Sequence, residues 1–279
     1  MDTIGTLITR LGLALLVLPQ LTPGPRLAAS DPHAASDLHA QTAAAVLAHR
    51  FSSADISYIA LDDHGQVVAQ RWPNADRVIP IGSLVKPFVA VTYGRTHDRF
   101  PQFRCTGKTT CWLPRGHGTL GVTEAIALSC NSYFRQLAAS ASPSLANSMH
   151  ERFAVTLDSD GTSGWAAPAA LARAYLELAS VKQERAVAPV MDGMAMSAQK
   201  GTGKALGARL QHVSALAKTG TAPCMHAHKA PGDGFALVMA PTDHPRLVLL
   251  VRVHGKPGAA AADTAGRMLA AIDSDGAGR

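Results

Sequence analysis

The sequence predicts an α+β fold: a five-stranded antiparallel sheet flanked by helices, with a helical lobe set between its first and last strands. Three observations carry this expectation. Runs rich in β-branched and apolar residues occur near both ends of the chain. The middle, about residues 81–210, reads at helical period and is broken by Gly-, Pro- and Ser-rich loops. No internal repeat and no long linker interrupts that order, so independent domains are not expected.

Each element has a local reason. Residues 30–50 read as a lead-in and then a helix, with Ser36 or Asp37 as cap and Leu38, Ala43, Val46 and Leu47 as an apolar stripe. Residues 56–61 and 66–72 are β-rich and flank the turn Asp62-Asp63-His64-Gly65, which makes an N-terminal hairpin. Helices are expected over 84–93, 123–140, 168–180 and 187–197. Strands return at 213–218, 236–240 and 246–253, with Pro241-Thr242-Asp243-His244-Pro245 as the turn between the last two. A final helix over about 261–272 presents Ala265, Met268, Leu269 and Ile272 on one face. Strands from both ends then meet in one sheet, and the natural ligand site is the cleft between sheet and lobe.

Composition narrows the class. With 279 residues, 47% of them apolar, the chain can bury a sizeable core, though only 5% are aromatic and the core must lean on Ala, Leu and Val. The net charge is +6, but the 26 Lys and Arg are scattered without a run, so no nucleic-acid partner is expected. Arg10 precedes the apolar run 11–18, which is followed by Pro19, Pro23-Gly24-Pro25 and Ala28-Ala29-Ser30. That run is far below the ~20 residues needed to span a bilayer and fits a secretory signal peptide over 1–29. Residues 30–279 are then expected as one exported domain, periplasmic or associated with the cell envelope.

Four cysteines, Cys105, Cys111, Cys130 and Cys224, suit an exported protein if paired. Cys105 and Cys111 bracket a short loop and could close it. Cys130 and Cys224 adjoin sequence blocks that, if they meet in space, would bring their sulfurs together. A free, buried pair is the alternative.

Three blocks stand in order: Ser83-Leu84-Val85-Lys86, Ser129-Cys130-Asn131 and Lys218-Thr219-Gly220. Together they are the parts of a serine acyl-transfer site of the penicillin-reactive kind. Pro80 and Gly82 break the chain before Ser83, which puts it at a helix start, where free backbone N–H groups favour developing negative charge. Lys86 shares its helix face and can reach the hydroxyl. A serine hydroxyl needs a base, and apolar neighbours lower a lysine pKa toward the neutral amine. Ser129 can relay a proton to a leaving amine, and Asn131 can hold a substrate amide carbonyl. Lys218 ends a β-patterned run. With Thr219 it can bind a carboxylate, while Gly220 admits a substrate backbone. The N–H groups of Ser83 and Thr221 can form an oxyanion hole. Ser197-Ala198-Gln199-Lys200 copies the first spacing without companions in the right order, so spacing alone proves little.

On these blocks the chain resembles the transpeptidase domain of penicillin-binding proteins. Gly116-His117-Gly118, Glu124-Ala125-Ile126-Ala127 and Ser132-Tyr133-Phe134 are similar to that family's surroundings of the second motif. Residues 168–178 resemble its Pro-x-x-Leu-Ala-x-x-Tyr helix, and Gly201-Thr202-Gly203 its Gly-Thr-Gly before the third motif. The resemblance covers roughly residues 40–275 and implies a β-lactamase/transpeptidase-like fold. It implies peptidoglycan stem peptides ending in D-alanyl-D-alanine as substrate, and acylation by β-lactams. It carries Ser83 over as nucleophile and Lys86 as base, with Ser129 and Asn131 shaping the cleft. Lys218, Thr219 and Thr221 bind carboxylate and oxyanion, around Gly220. The motifs are shared by transpeptidases and carboxypeptidases, which differ in whether an amine or water takes the acyl group.

Other readings compete. A serine β-lactamase shares the fold, but the class A Glu-x-x-Leu-Asn motif is absent, and Tyr93-Gly94-Arg95 does not match the class D Tyr-Gly-Asn. A sensor that acylates and stays acylated is a third reading. Cys224, His226 and His228 alternate on what would be one strand face, yet a fourth zinc ligand is not evident, so no metal or cofactor is expected. Gly201-Thr202-Gly203-Lys204 lacks the first glycine of a phosphate loop, since position 198 is Ala198.

Overall fold

The computed structural model describes residues 32–141, 144–210, 213–225 and 227–277. The export segment expected over 1–29, and His226, lie outside them. Helix α1 (Pro32–Arg50) leads into the hairpin β1 (Ile56–Asp62) and β2 (Val67–Arg71). Both proposed caps, Ser36 and Asp37, fall inside α1 rather than at its start. Strand β3 (Ile79–Pro80) enters a 3₁₀ turn over Gly82–Val85, and helix α2 (Lys86–Thr96) continues from it.

The lobe then alternates short strands and helices: β4 (Phe103–Cys105), β5 (Gly118–Leu120), α3 (Val122–Ala127), α4 (Asn131–Ser140), α5 (Leu145–Phe153), β6 (Thr156–Leu157), β7 (Gly164–Ala166), α6 (Pro168–Ser180), α7 (Ala188–Lys200) and α8 (Lys204–Gly207). Strands β8 (Leu216–Ala222), β9 (Asp233–Ala240) and β10 (Leu247–Val253) and helix α9 (Gly258–Ala277) complete the chain. Among the described residues no helix is long and apolar enough to cross a membrane.

Five strands form one antiparallel sheet in the order β2-β1-β10-β9-β8. The ends of the chain meet in it: Ile56 pairs with Val253 and Asp62 with Leu247. β9 is buried along its whole length and β10 nearly so, because helices cover both faces of these central strands. The period-two alternation of side chains divides the core. Ile59, Leu61, Leu237 and Leu250 face the lobe helices α2 and α6, whereas Tyr58, Ala60, Val238 and Leu249 face α1 and α9. β8 is the sheet edge on the side of the lobe's cleft, and among the described residues it pairs only with β9.

Two expectations change. The helix expected over 123–140 is two helices, α3 and α4, because the backbone between them turns at Ser129 into the left-handed region, φ 50°. Lys218-Thr219-Gly220 lies inside β8 rather than at its end. Pairing with β9 and burial against the lobe override the weak strand preference of Gly220.

Tyr175 on α6 ties the lobe to the turn carrying Ser83. Its hydroxyl, fully buried, donates to the Leu84 carbonyl at 2.7 Å. Tyr175→Phe should cost about 1 kcal/mol and lower the thermal midpoint by about 2–4 °C. An unchanged midpoint in calorimetry would show that this bond contributes nothing.

Candidate active site

The turn over Gly82–Val85 and strand β8 meet backbone to backbone. Gly82 has φ +55°, and a Cβ on it would lie 2.4 Å from the Thr221 carbonyl oxygen. A Cβ on Gly220 would come within 3.0 Å of the Ile81 oxygen and 3.3 Å of the Ser83 nitrogen. Only glycine at both positions permits this seam, since Gly82 also needs a left-handed φ. The seam places the Ser83 N–H against the strand that carries Lys218, Thr219, Gly220 and Thr221. Ser83, Thr219, Gly220 and Thr221 all line a cleft of about 990 Å³.

Ser83 sits on the 3₁₀ turn and Lys86 follows three residues later. Side chains three apart eclipse on such a turn. Lys86 has no solvent exposure. Its amine donates to the Ser129 carbonyl oxygen at 2.9 Å and to Asn131 Oδ1 at 2.5 Å, with Ser129 Oγ at 3.4 Å. The Phe134 ring lies 5.5 Å away. Those acceptors favour the ammonium, yet burial dominates and lowers Lys86 to about 7. The Ser83 hydroxyl makes no hydrogen bond among the described residues.

Ser129 joins the two lysines. Its left-handed backbone, uncommon for a non-glycine residue, is held by its N–H on the Ile126 carbonyl at 3.2 Å. Lys218 Nζ donates to Ser129 Oγ at 2.8 Å and to the Thr219 carbonyl at 2.8 Å. Lys218 has no exposure either, and burial, together with the nearby Lys86, holds its amine well below the usual lysine range. The Lys86 and Lys218 amines thus meet at the Ser129 hydroxyl, and Ser83 lines the same cleft as Ser129.

The sequence reading gave Lys218 and Thr219 a shared carboxylate. The Lys218 amine donates to Ser129 Oγ, and Thr219 Oγ1 donates to Thr202 Oγ1 at 2.7 Å. Thr202 lines the cleft with Thr219, and Arg115, Lys200 and Lys204 supply its positive charge. None of these four was assigned a role from sequence. Thr202 had a signal in Gly201-Thr202-Gly203; the three cations had none. Lys200, from the spacing that copies the first block, reaches the cleft, whereas its Ser197 is buried in α7.

Of the two cysteine expectations, pairing is not found and the free, buried alternative is. All four are free thiols. Cys130 turns into the core beside Cys111, their sulfurs 3.9 Å apart, and not toward Cys224. Cys224 lies near Asp233, whose Oδ1 accepts from its thiol at 3.2 Å. This happens because Ser129 and Asn131 face the cleft, which leaves the residue between them facing inward.

The seam predicts a contrast. Gly82→Ala and Gly118→Ala both place a side chain at positive φ, but nothing lies within 4 Å of a Cβ on Gly118. Strain at either costs about 1–2 kcal/mol, and only Gly82→Ala adds a backbone collision. It should lower the melting temperature distinctly more than Gly118→Ala. Equal losses would show that the turn and strand are not in contact.

No family model matches the chain, and no curated protein matches it. Solved structures do. The chain is similar to the D,D-transpeptidase domain of a peptidoglycan glycosyltransferase from Eggerthella lenta, with TM-score 0.65 and 16% identity, covering 86% of this chain and 82% of that one. It is similar to the transpeptidase domain of penicillin-binding protein 3 from Burkholderia pseudomallei, with TM-score 0.62 and 17% identity, over 91% and 96% of the two chains. A penicillin-binding protein 2 from Helicobacter pylori, solved with MreC, gives TM-score 0.68 at 14% identity, over 87% and 63%. The helices and the five-stranded antiparallel sheet match those structures, and the chain has the penicillin-binding transpeptidase fold.

Proposed function

We propose that the chain is a serine D,D-acyltransferase that acts on the D-alanyl-D-alanine ends of peptidoglycan stem peptides through an ester on Ser83, and that β-lactams acylate the same serine. One observation carries the reading: the buried amines of Lys86 and Lys218 both bond Ser129 Oγ in the wall of the cleft that Ser83 lines. The domain proposed for this chemistry is residues 30–279, exported to the cell envelope.

The chemistry follows from the groups present. The Ser83 oxygen attacks the substrate carbonyl, and its proton passes to the neutral Lys86 amine, which swings from Asn131 toward Ser83. The N–H groups of Ser83 and Thr221 receive the developing oxyanion. Ser129, hydrogen-bonded by both lysines, returns a proton to the departing amine. Asn131 binds the substrate amide. An extended peptide lies along edge strand β8, where Gly220 gives it room. The terminal carboxylate meets the Thr219 and Thr202 hydroxyls, with the cleft cations behind them. An amine or water then takes the acyl group.

Two measurements test this. Intact mass after penicillin treatment should show one adduct on the native chain and none on Ser83→Ala; an unmodified native chain at saturating drug would sink the proposal. A long-lived adduct fits an acyltransferase, whereas rapid turnover of nitrocefin would replace it with a β-lactamase. Adduct formation should also report on the base. Burial favours the neutral amine and lowers the Lys86 pKa to about 7, so the rate should rise as pH climbs through about 7 and then level. Lys86→Arg keeps the charge but cannot release a proton. It should slow acylation about 10²–10⁴-fold. A Lys86→Arg rate equal to the native one would exclude Lys86 as base.

A further inference from the structure

We infer that Cys224, Asp233 and His254 bind one zinc ion that clips together the ends of three neighbouring strands. Cys224 lies just beyond β8, Asp233 is the first residue of β9, and His254 is the residue after β10. The three strands are adjacent in the sheet, with Ala222 paired to Asp233 and Gly234 to Val253, so the three residues share one end of it. One ligand atom from each lies within 4.8 Å of the others. Of the alternating residues Cys224, His226 and His228, only Cys224 joins the cluster among the described residues. Its partners come from the neighbouring strands instead.

The cluster is built around one carboxylate oxygen. Asp233 Oδ1 lies 2.7 Å from His254 Nδ1 and accepts from the Cys224 thiol at 3.2 Å and from the Gly255 N–H at 3.4 Å. Arg252 approaches the other oxygen, Oδ2, and only to 3.9 Å, which leaves Oδ1 to the sulfur and the imidazole. Asp233 is buried, and Cys224 and His254 are half-buried. A thiol is a weak hydrogen-bond donor and a poor partner for a buried carboxylate. A dication in place of the thiol proton exchanges that weak contact for coordination bonds. Cys224 then releases one proton to solvent, and neutral His254 carries its proton on Nε2, so that Nδ1 offers a lone pair.

The donor types select the metal. A thiolate and an imidazole suit zinc and not magnesium or calcium, which take oxygen ligands. With bonds of about 2.3 Å to sulfur and about 2.0 Å to nitrogen and oxygen, a tetrahedral zinc sets sulfur about 3.5 Å and nitrogen about 3.3 Å from the carboxylate oxygen. The hydrogen-bonded separations are shorter by roughly 0.3–0.6 Å, an opening that Cys224, on a loop beyond its strand, can supply. Among the described residues no fourth Cys, His, Asp or Glu joins the three, so the fourth position takes water.

The site is joined to the cleft by a short stretch of chain. Pro257, Gly258 and Ala259 follow closely on His254 and line the cleft. The Gly258 N–H donates to Thr221 Oγ1 at 3.0 Å, and a Cβ on Gly234 would lie 2.4 Å from the Pro257 carbonyl oxygen. An ion on His254 and Asp233 therefore fixes this wall of the cleft against β8 and β9. The zinc ion takes no chemical step; it is a positioning element for residues 255–259.

The test uses the purified full chain and zinc alone. After incubation with zinc and removal of the excess, Cys224→Ser and His254→Gln should each hold one zinc fewer per chain than the native protein. Zinc taken up by thiols elsewhere is common to all three proteins and cancels. Equal metal content in native and variant chains overturns the inference. A second measurement needs no variant. Peptide-resolved alkylation of the native chain should find Cys224 at least about 10-fold slower to react with zinc than without it, because coordination occupies the sulfur; an unchanged rate overturns the site. Zinc should also raise the melting temperature of the native chain further than that of Cys224→Ser, and equal shifts would overturn the clip between the strands. None of these readouts passes through Ser83, so a failed acylation assay with bound zinc counts against the acyl-transfer reading alone.

Discussion

Two lysine amines with no exposure share one serine hydroxyl, and the site is organised around that contact. Burying an ammonium is costly unless acceptors surround it. Here the acceptors are neutral: the Ser129 carbonyl and hydroxyl, Asn131 Oδ1 and the Thr219 carbonyl. Burial pushes both lysines below their ordinary range, with Lys86 adding to the effect on Lys218, and a neutral amine is available without a carboxylate to accept its proton.

That contact constrains the fold around it. Lys86 comes from the first lobe helix, Ser129 from the break between α3 and α4, and Lys218 from the edge strand. The two core layers hold these sources at fixed distances. The lobe-side layer packs Phe88 and Phe134 against the sheet face that includes Leu216 and Leu237, while α1 and α9 close the opposite face. Lys218 follows Leu216 by two residues, so strand alternation points it into the lobe side, where Ser129 lies.

Much of this was legible in the sequence. The helix over Pro168–Ser180 and the strands that bring the two chain ends together follow from pattern and turn residues alone, because those segments are amphipathic or continuously apolar. The three blocks were legible because their order and spacing are unusual. What was not legible depends on tertiary contact. The break at Ser129 has no Gly or Pro to mark it. The short strands β4 to β7 pair over so few residues that no periodicity can build up. The direction of the Lys218 amine depends on where another element places an oxygen. The thiol, carboxylate and imidazole cluster joins residues spread over 224–254, with spacings that match no short metal motif, so only folding reveals it.

The glycine seam between the serine turn and β8 has a mechanical meaning. Packed protein interiors are nearly incompressible, and two backbones in contact have no flexible side chain between them to absorb displacement. The turn and the edge strand therefore move as one solid piece. A ligand that lays its backbone along β8 is referenced to the same rigid body as the Ser83 nitrogen and oxygen. The register of the ligand on the strand then sets the distance between its carbonyl carbon and the nucleophile, much as a ruler clamped to a workpiece needs no separate alignment.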